Sequence, residues 1–260
     1  MHFEAKRAII KQILMILFCM LTLIHSPIFA NDIVSHNQAI DIISKTEAML
    51  RSNSSMMDMT MKIVTPKWQR TIKCSIWSKG YDYSFIKIHY PRRDRGITFL
   101  KREKQMWQYI PKVERVIKIP PSMMMQSWMG SDFTNDDLVR ESSYITDYNV
   151  TLLETTTKHY NIQLIPLETA PVTWGKVIMH IDKQTYIPSY QAFYDELGAL
   201  VRIMEMTDVK QIGKKWYPMK WLIKPQEKQK QGHNTMIEIT QLKIDIPIKD
   251  TLFSLRKLTE

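Results

Sequence analysis

From Met57 to Lys243 the chain is cut into short runs of alternating apolar and polar residues, each closed by Pro, Gly or a charged cluster. Met57, Met59, Met61 and Ile63 alternate with Asp58, Thr60 and Lys62. Arg70 to Trp77 alternates next, Lys79-Gly80 marks a turn, and Tyr81 to Tyr90 stops at Pro91. Runs at Ile97–Leu100, Gln105–Ile110 and Arg115–Ile119 continue the series. It resumes at Tyr148–Leu153, Tyr160–Pro166, Lys176–Asp182, Ser189–Tyr194, Leu200–Asp208, Trp216–Lys224 and Thr235–Lys243. Period-two runs rich in β-branched and aromatic residues read as half-buried strands. Strands in succession without intervening helices favour an antiparallel meander. The fold class is therefore mainly β (α+β), with about a dozen strands.

Two segments break the strand pattern. Asp32 to Arg51 reads as an opening helix, with Ile33, Ala39, Ile40, Ile43, Met49 and Leu50 approximating one stripe and Lys45 and Glu47 outside it. The second is Ser122 to Leu138, SMMMQSWMGSDFTNDDL, inside a stretch of helical character over 121–141. Thr134 with Asp137 three residues on resembles a capping box, and Asp136 also suits a helix start. A sheet of this length with so few helices would curl around them. The helices would then cover a concave apolar face that can enclose a ligand.

The first thirty residues read as a cleavable export signal. Lys6, Arg7 and Lys11 precede an apolar run over Ile13–Ile24, Pro27 breaks it, and Ile28-Phe29-Ala30 offers a cleavage site before Asn31. The run is twelve residues long, short of the roughly 20 that span a bilayer. An uncleaved anchor is the competing reading, because Ile28 is bulky for its position. Phe18 just before Cys19 argues against a lipoprotein signal. Residues 31–260 then form a single domain. The whole chain carries +10, of which Lys6, Arg7, Lys11 and Glu4 contribute +2. That balance suits anionic membrane surfaces or lipid head groups, and export argues against nucleic acid. Cys74 is then the sole cysteine, so it reads as a buried small hydrophobe without an internal disulfide.

Several residue groups together resemble a known family. These are Gly96-Ile97-Thr98-Phe99-Leu100, Trp107-Gln108-Tyr109-Ile110-Pro111, Met129-Gly130-Ser131-Asp132-Phe133-Thr134, Asp137-Leu138 and Asp147-Tyr148. Tyr186-Ile187-Pro188, Tyr194-Asp195 with Gly198, Trp216-Tyr217-Pro218 and Thr251-Leu252-Phe253-Ser254-Leu255 follow in order. The chain resembles the outer-membrane lipoprotein-sorting proteins, the LolA-like periplasmic lipid and lipoprotein carriers, and within them an uncharacterised branch. The resemblance implies a curved antiparallel half-barrel of the LolA/LolB kind, with helices as a lid over an apolar cavity that takes acyl chains. It also implies an inner-membrane transporter and an outer-membrane acceptor as partners, transient membrane contact, a periplasmic location and no catalysis. No functional arginine is carried over from the family.

The candidate acyl-chain contacts are Phe99, Trp107, Tyr109, Met124, Met125, Trp128, Met129 and Phe133. Methionine is unbranched and polarizable, and so adapts to varied ligands; packing beneath a long connection is the plainer reading. Met57, Met59 and Met61 could offer thioethers to Cu(I), or simply line a core. His36, His89, His159, His180 and His233 show no ligand spacing. Asp132, Asp136 and Asp137 are explained by capping, with no nucleophile motif nearby. Neither a catalytic residue, a metal nor a cofactor is expected. Arg92-Arg93-Asp94-Arg95 and Lys101-Arg102 read as basic strand ends that are either solvated or in contact with lipid phosphate. A carrier is the leading function, with an envelope lipid or lipoprotein sensor acting on a membrane regulator as the alternative.

Overall fold

The computed structural model describes residues 27–139, 143–170 and 172–260. The basic n-region, the apolar run and Cys19 of the expected export signal lie outside them. Helix α1 spans Pro27–Leu50, which includes the backbone of the expected cleavage site. Thirteen strands follow. They are β1 Ser54–Val64, β2 Gln69–Lys79, β3 Tyr83–Tyr90, β4 Thr98–Arg102, β5 Gln105–Ile110 and β6 Arg115–Lys118. After two short helices, α2 Asn135–Val139 and α3 Tyr144–Asp147, come β7 Tyr148–Thr155, β8 His159–Pro166, β9 Lys176–Asp182 and β10 Pro188–Tyr194. Strands β11 Leu200–Ile212, β12 Lys215–Pro225 and β13 Asn234–Ile244 complete the set.

All thirteen form one curved, open antiparallel sheet in the order β6-β5-β4-β3-β2-β1-β13-β12-β11-β10-β9-β8-β7. The order departs from a plain meander at one place: the first and last strands pair in the middle, with Met61 opposite Ile237. Consequently β6 and β7, adjacent in sequence, are the two outer edges of the sheet. The chain between them has to cross from one edge to the other.

The register fixes which side chains share a face, because successive strand residues alternate sides. Ile237, Met61, Ile72 and, two residues along, Cys74, Ile88, Ile86 and Phe99 trace one face across β13, β1, β2, β3 and β4. The same face continues through Trp221, Met206, Met204, Gln191, Met179 and Ile162 to β8. This concave face carries two adjoining clusters. One includes Met59, Met61, Ile63, Ile72, Cys74, Ile88 and Phe99. In the other, Ala39, Ile42 and Ile43 of α1 sit on Val150, Ile162, Leu164, Val177, Met179 and Ile181. Thus α1 fills one half of the concavity.

A third cluster occupies the opposite face, where Phe253 and Leu258 cover Phe85 and Leu100. These two residues belong to 3-10 turns over Asp250–Phe253 and Leu255–Thr259, and Thr98 Oγ1 fastens the second by donating to the Leu258 carbonyl at 2.7 Å.

Three expectations are corrected. Glu47, expected outside the apolar stripe of α1, is buried: it accepts from the Tyr144 amide at 2.6 Å and pairs with Arg51 at 3.1 Å. A helix that packs on the sheet and on α3 together needs two buried sides, and the second is polar. Lys101, expected at a solvated strand end, is buried within β4 on the concave side. Residues 81–82, expected in a strand, belong to the turn before β3. Cys74 is buried as expected, and burial, with the nearby Asp58 carboxylate, pushes its thiol up to about 12. Met59 and Met61 are core residues, with Met57 packed against the same cluster. Among the described residues no helix is long and apolar enough to cross a membrane.

Candidate functional site

The segment from Ile119 to Asp147 is the edge-to-edge crossing, and its described residues 119–139 form a lid over the half of the concave face that α1 leaves open. A 3-10 turn over Pro121–Met123 leads to buried Met124, whose carbonyl accepts from the Asp136 amide at 2.8 Å. A tight loop follows, closed by a bridge between Ser127 and Thr134. Within it the Trp128 amide donates to the Phe133 carbonyl at 2.7 Å, and Ser131 Oγ donates to the Trp128 carbonyl at 2.7 Å. Met129 adopts a left-handed φ of 54°, followed by Gly130 at 81°. A residue with a Cβ avoids that region unless its surroundings compensate. The strained turn drives Trp128 inward.

Trp128 is 2% exposed and packs against Phe99 with ring centroids 5.6 Å apart. Its Nε1 is buried and makes no hydrogen bond to the described residues. Met124 and Phe99 share its cluster, with Met129, Phe133 and Leu138 packed against it. Below these lie Met59, Met61, Met106 and Met219. Isoleucines, Ile72, Ile88 and Ile237 among them, complete the same cluster. The thioethers in it re-pack more readily than the branched side chains.

Apart from the Glu47 contacts to Ser143 and Tyr144, the polar contacts described between the lid and the sheet gather at one rim. The expected capping box exists: the Thr134 amide donates to Asp137 Oδ2 at 2.8 Å and the Asp137 amide donates to Thr134 Oγ1 at 3.1 Å. Asp137 also receives both arms of Arg202, each at 2.8 Å. Burial would raise its pKa, but the hydrogen bonds and charge of Arg202, with Thr134, outweigh burial and hold it below the usual value. On β2, Arg70 Nη1 donates to the Met129 carbonyl at 2.9 Å while its other arm holds Asp94. On β13, Thr235 Oγ1 donates to Asp132 Oδ2 at 2.7 Å and accepts from the Asp132 amide at 3.0 Å. Thr173 Oγ1 donates to Asp136 Oδ2 at 2.9 Å. Arg70, Arg202 and Thr235 each stand at the start of a strand, all at the same end of the sheet.

Five expected contacts, Phe99, Met124, Trp128, Met129 and Phe133, come together between lid and sheet. Met125 is 54% exposed, its sulfur 3.7 Å from Thr173 Oγ1 on the outside of the lid. Trp107 and Tyr109 lie on the other face of the sheet, packed against the C-terminal cluster. Their places follow from register, since Trp107 opposes Leu100 and not Phe99. Reasoning from the sequence missed Arg70, Arg202, Thr173 and Thr235. Nothing local marks Arg202, since Ile203-Met204 is interrupted by Glu205 and its ring neighbours Trp174 and Phe193 both lie upstream.

On the outer face Ser75 Oγ donates to Asp58 and lies 2.8 Å from His89 Nε2. The serine stands between acid and base, so its one proton is committed to the carboxylate. This differs from a triad in which histidine separates the two. Among the described residues no three His, Cys, Asp or Glu side chains gather as a metal site.

An open, curled antiparallel sheet with a lid across its concave side defines a LolA-like fold. Known structures agree. The chain superimposes with a TM-score of 0.77 on a DUF1329 family protein from Desulfovibrio piger, at 20% identity over 86% of this chain and 99% of that one. For an outer membrane lipoprotein-sorting protein domain from Vibrio parahaemolyticus the TM-score is 0.75, at 21% identity over 86% and 100%. A LolA superfamily protein from Nitrosomonas europaea gives 0.70, at 20% identity over 84% and 98%. At these identities the likeness is one of fold. No curated protein matches the chain. Residues 80–260 match the family described as "Uncharacterized protein", and the chain belongs to that family.

Proposed function

We propose that the protein is a non-catalytic carrier that binds acyl chains of lipids or lipoproteins between the lid and the concave sheet. The observation that carries this reading is the contact itself: an interface of methionine, isoleucine and aromatic side chains, with Arg70 and Arg202 bonded to the lid at one rim. Lifting the lid exposes apolar surface without breaking a single strand pairing. Acyl chains would replace the lid's side chains there, and Phe99, Met124, Trp128, Met129 and Phe133 are the proposed contacts. The unpaired Trp128 Nε1 offers a donor to an ester or carboxyl oxygen at the head of such a chain. Burial is worth about 0.8 kcal/mol per CH₂, so a C16 chain supplies on the order of 10 kcal/mol before ordering costs. That scale suits a ligand able to displace a packed lid.

The reading extends to residues 1–30 as an export signal, 31–260 as one domain, a periplasmic location, and transfer from an inner-membrane transporter to an outer-membrane acceptor. The fold shared with a lipoprotein-sorting domain supports it.

Native mass spectrometry of protein purified from cells without detergent tests the core claim. Retained phospholipid or acylated peptide is expected, and Trp128→Asp should abolish it and the uptake of a fluorescent fatty acid, while Leu197→Asp, on an exposed turn, should not. Protein that is always empty and takes up no added lipid would sink the proposal.

A further inference from the structure

The rim that holds the lid also carries an unbalanced charge. Loops 65–68, 91–97, 111–114 and 226–233 all emerge at that end of the sheet. They are contiguous: a Cβ on Gly232 would lie 3.1 Å from Pro66, and one on Gly96 would lie 3.3 Å from Pro111. Trp68, Arg70, Tyr90, Arg93 and Gly130 line a depression of about 530 Å³ that joins the first two loops to the lid. Asp94 is engaged by Arg70 and Arg93, and Glu227 by Lys230. That leaves exposed Lys67, Arg92, Arg95, Lys112 and Lys228 against Glu114, the one further acid of the four loops, and Asp132 of the lid, which is bonded to Thr235 and lies near Lys230 and His233.

Three apolar side chains stand among these cations. Trp68 is 46% exposed, Tyr90 50% and Val113 55%. The imbalance is local. Farther along the same rim the β10–β11 turn carries Asp195 and Glu196, and at the opposite rim Lys79 is paired with Asp250.

We propose that this rim docks the protein on an anionic phospholipid surface, with the lid's strained Met129-Gly130 turn facing the bilayer. Basic residues spread over four loop tips match a surface of repeated negative charge better than a single small anion. Each cation held near such a surface contributes appreciably, and the attraction fades beyond a Debye length. Tryptophan and tyrosine suit the head-group layer, where one end of the ring is apolar and the other is wet. Docking in this sense is independent of whether an acyl chain occupies the concave face.

The test is co-sedimentation of the purified protein with vesicles of phosphatidylethanolamine and phosphatidylglycerol, and with vesicles of phosphatidylcholine alone. Binding is expected for the first and weak for the second, and it should decline as salt is raised. In R92A/R95A/K112A the affinity should fall by about tenfold or more, since each cation is worth a roughly five-fold gain at an anionic surface. W68S/Y90S should weaken it as well, at unchanged circular dichroism and melting temperature. Equal binding to both vesicles would overturn the proposal, as would full binding by the triple variant. So would failure to bind anionic vesicles by a protein that instead retains an acidic protein partner through the same residues.

Discussion

Arg202 and Asp137, on β11 and in the lid, are joined by two parallel hydrogen bonds of 2.8 Å. The guanidinium lies over the adjoining rings of Trp174 and Phe193, 4.6 Å and 4.5 Å from their centroids. Arginine 7% exposed and aspartate mostly shielded make this a buried pair with planar, two-armed geometry. Removing one member strands the other's charge.

Asp137→Ala should therefore destabilise the protein by roughly 3–5 kcal/mol, the usual cost of an uncompensated buried charge. Arg202→Lys should recover only part of the pair, because an ammonium cannot fill both carboxylate oxygens or stack on Trp174. Urea unfolding of both variants and of the double variant measures the coupling; additive losses would show that the pair is not a unit.

Two lid carboxylates should have pKa values displaced in opposite directions. Asp137 is held below its ordinary value, so its contribution is present above the unfolded pKa of about 3.9 and is lost as pH falls through the lower folded one. Burial raises Asp132 more than its Thr235 hydrogen bond lowers it, so the ionised form is disfavoured and stability is withdrawn as pH rises from about 3.9 through the raised value. Carboxyl carbon NMR titration should place the Asp137 midpoint below that of Asp132. The reverse order would refute the lid geometry.

Trp128→Ala should cost about 3–5 kcal/mol, as expected for a large ring removed from a packed site. Met61→Leu, nearly equal in volume, should cost less than about 1.5 kcal/mol. Denaturant midpoints at unchanged m-value check both.

Phe253→Ala should be similarly expensive, at about 3–5 kcal/mol, yet leave fatty-acid uptake intact. Phe253 lies on the face that holds Trp107 and Tyr109, across the sheet from the lid. Loss of uptake in a folded variant would show that the outer face takes part in binding.

Gly175→Ala should destabilise without touching either face. A Cβ there would meet the Asp195 carbonyl oxygen and come within 2.7 Å of Glu196 Cα. These are backbone atoms and cannot rotate aside, so about 1–3 kcal/mol of strain is expected, read as a lowered melting temperature.

The strands were legible because their period-two alternation is strong: Gln105–Ile110 and Lys176–Asp182 match the expected bounds, and the turns at Leu197-Gly198 and Gly213-Lys214 fall where expected. The pairing of β1 with β13 was not legible, since nothing local in Met61 or Ile237 names a partner so far along the chain. The lid was visible as an apolar, methionine-rich interruption. Its attachment was not, because the capping box already accounted for Asp137 and concealed the second partner, Arg202. Trp107 and Tyr109 show a further limit. Alternation separates them from Phe99, yet both faces of β4 and β5 are apolar, since the C-terminal turns cover the outer one.

The lid is also a strap. Its ends continue into β6 and β7, the two free margins of an otherwise open sheet, and among the described residues nothing else links those margins directly. Any force that lifts α2 is delivered to both of them at once, through Ile119 on one side and α3 on the other. Loading the lid should therefore bear on both margins, and their amides should exchange with solvent in concert, although eleven strands lie between them.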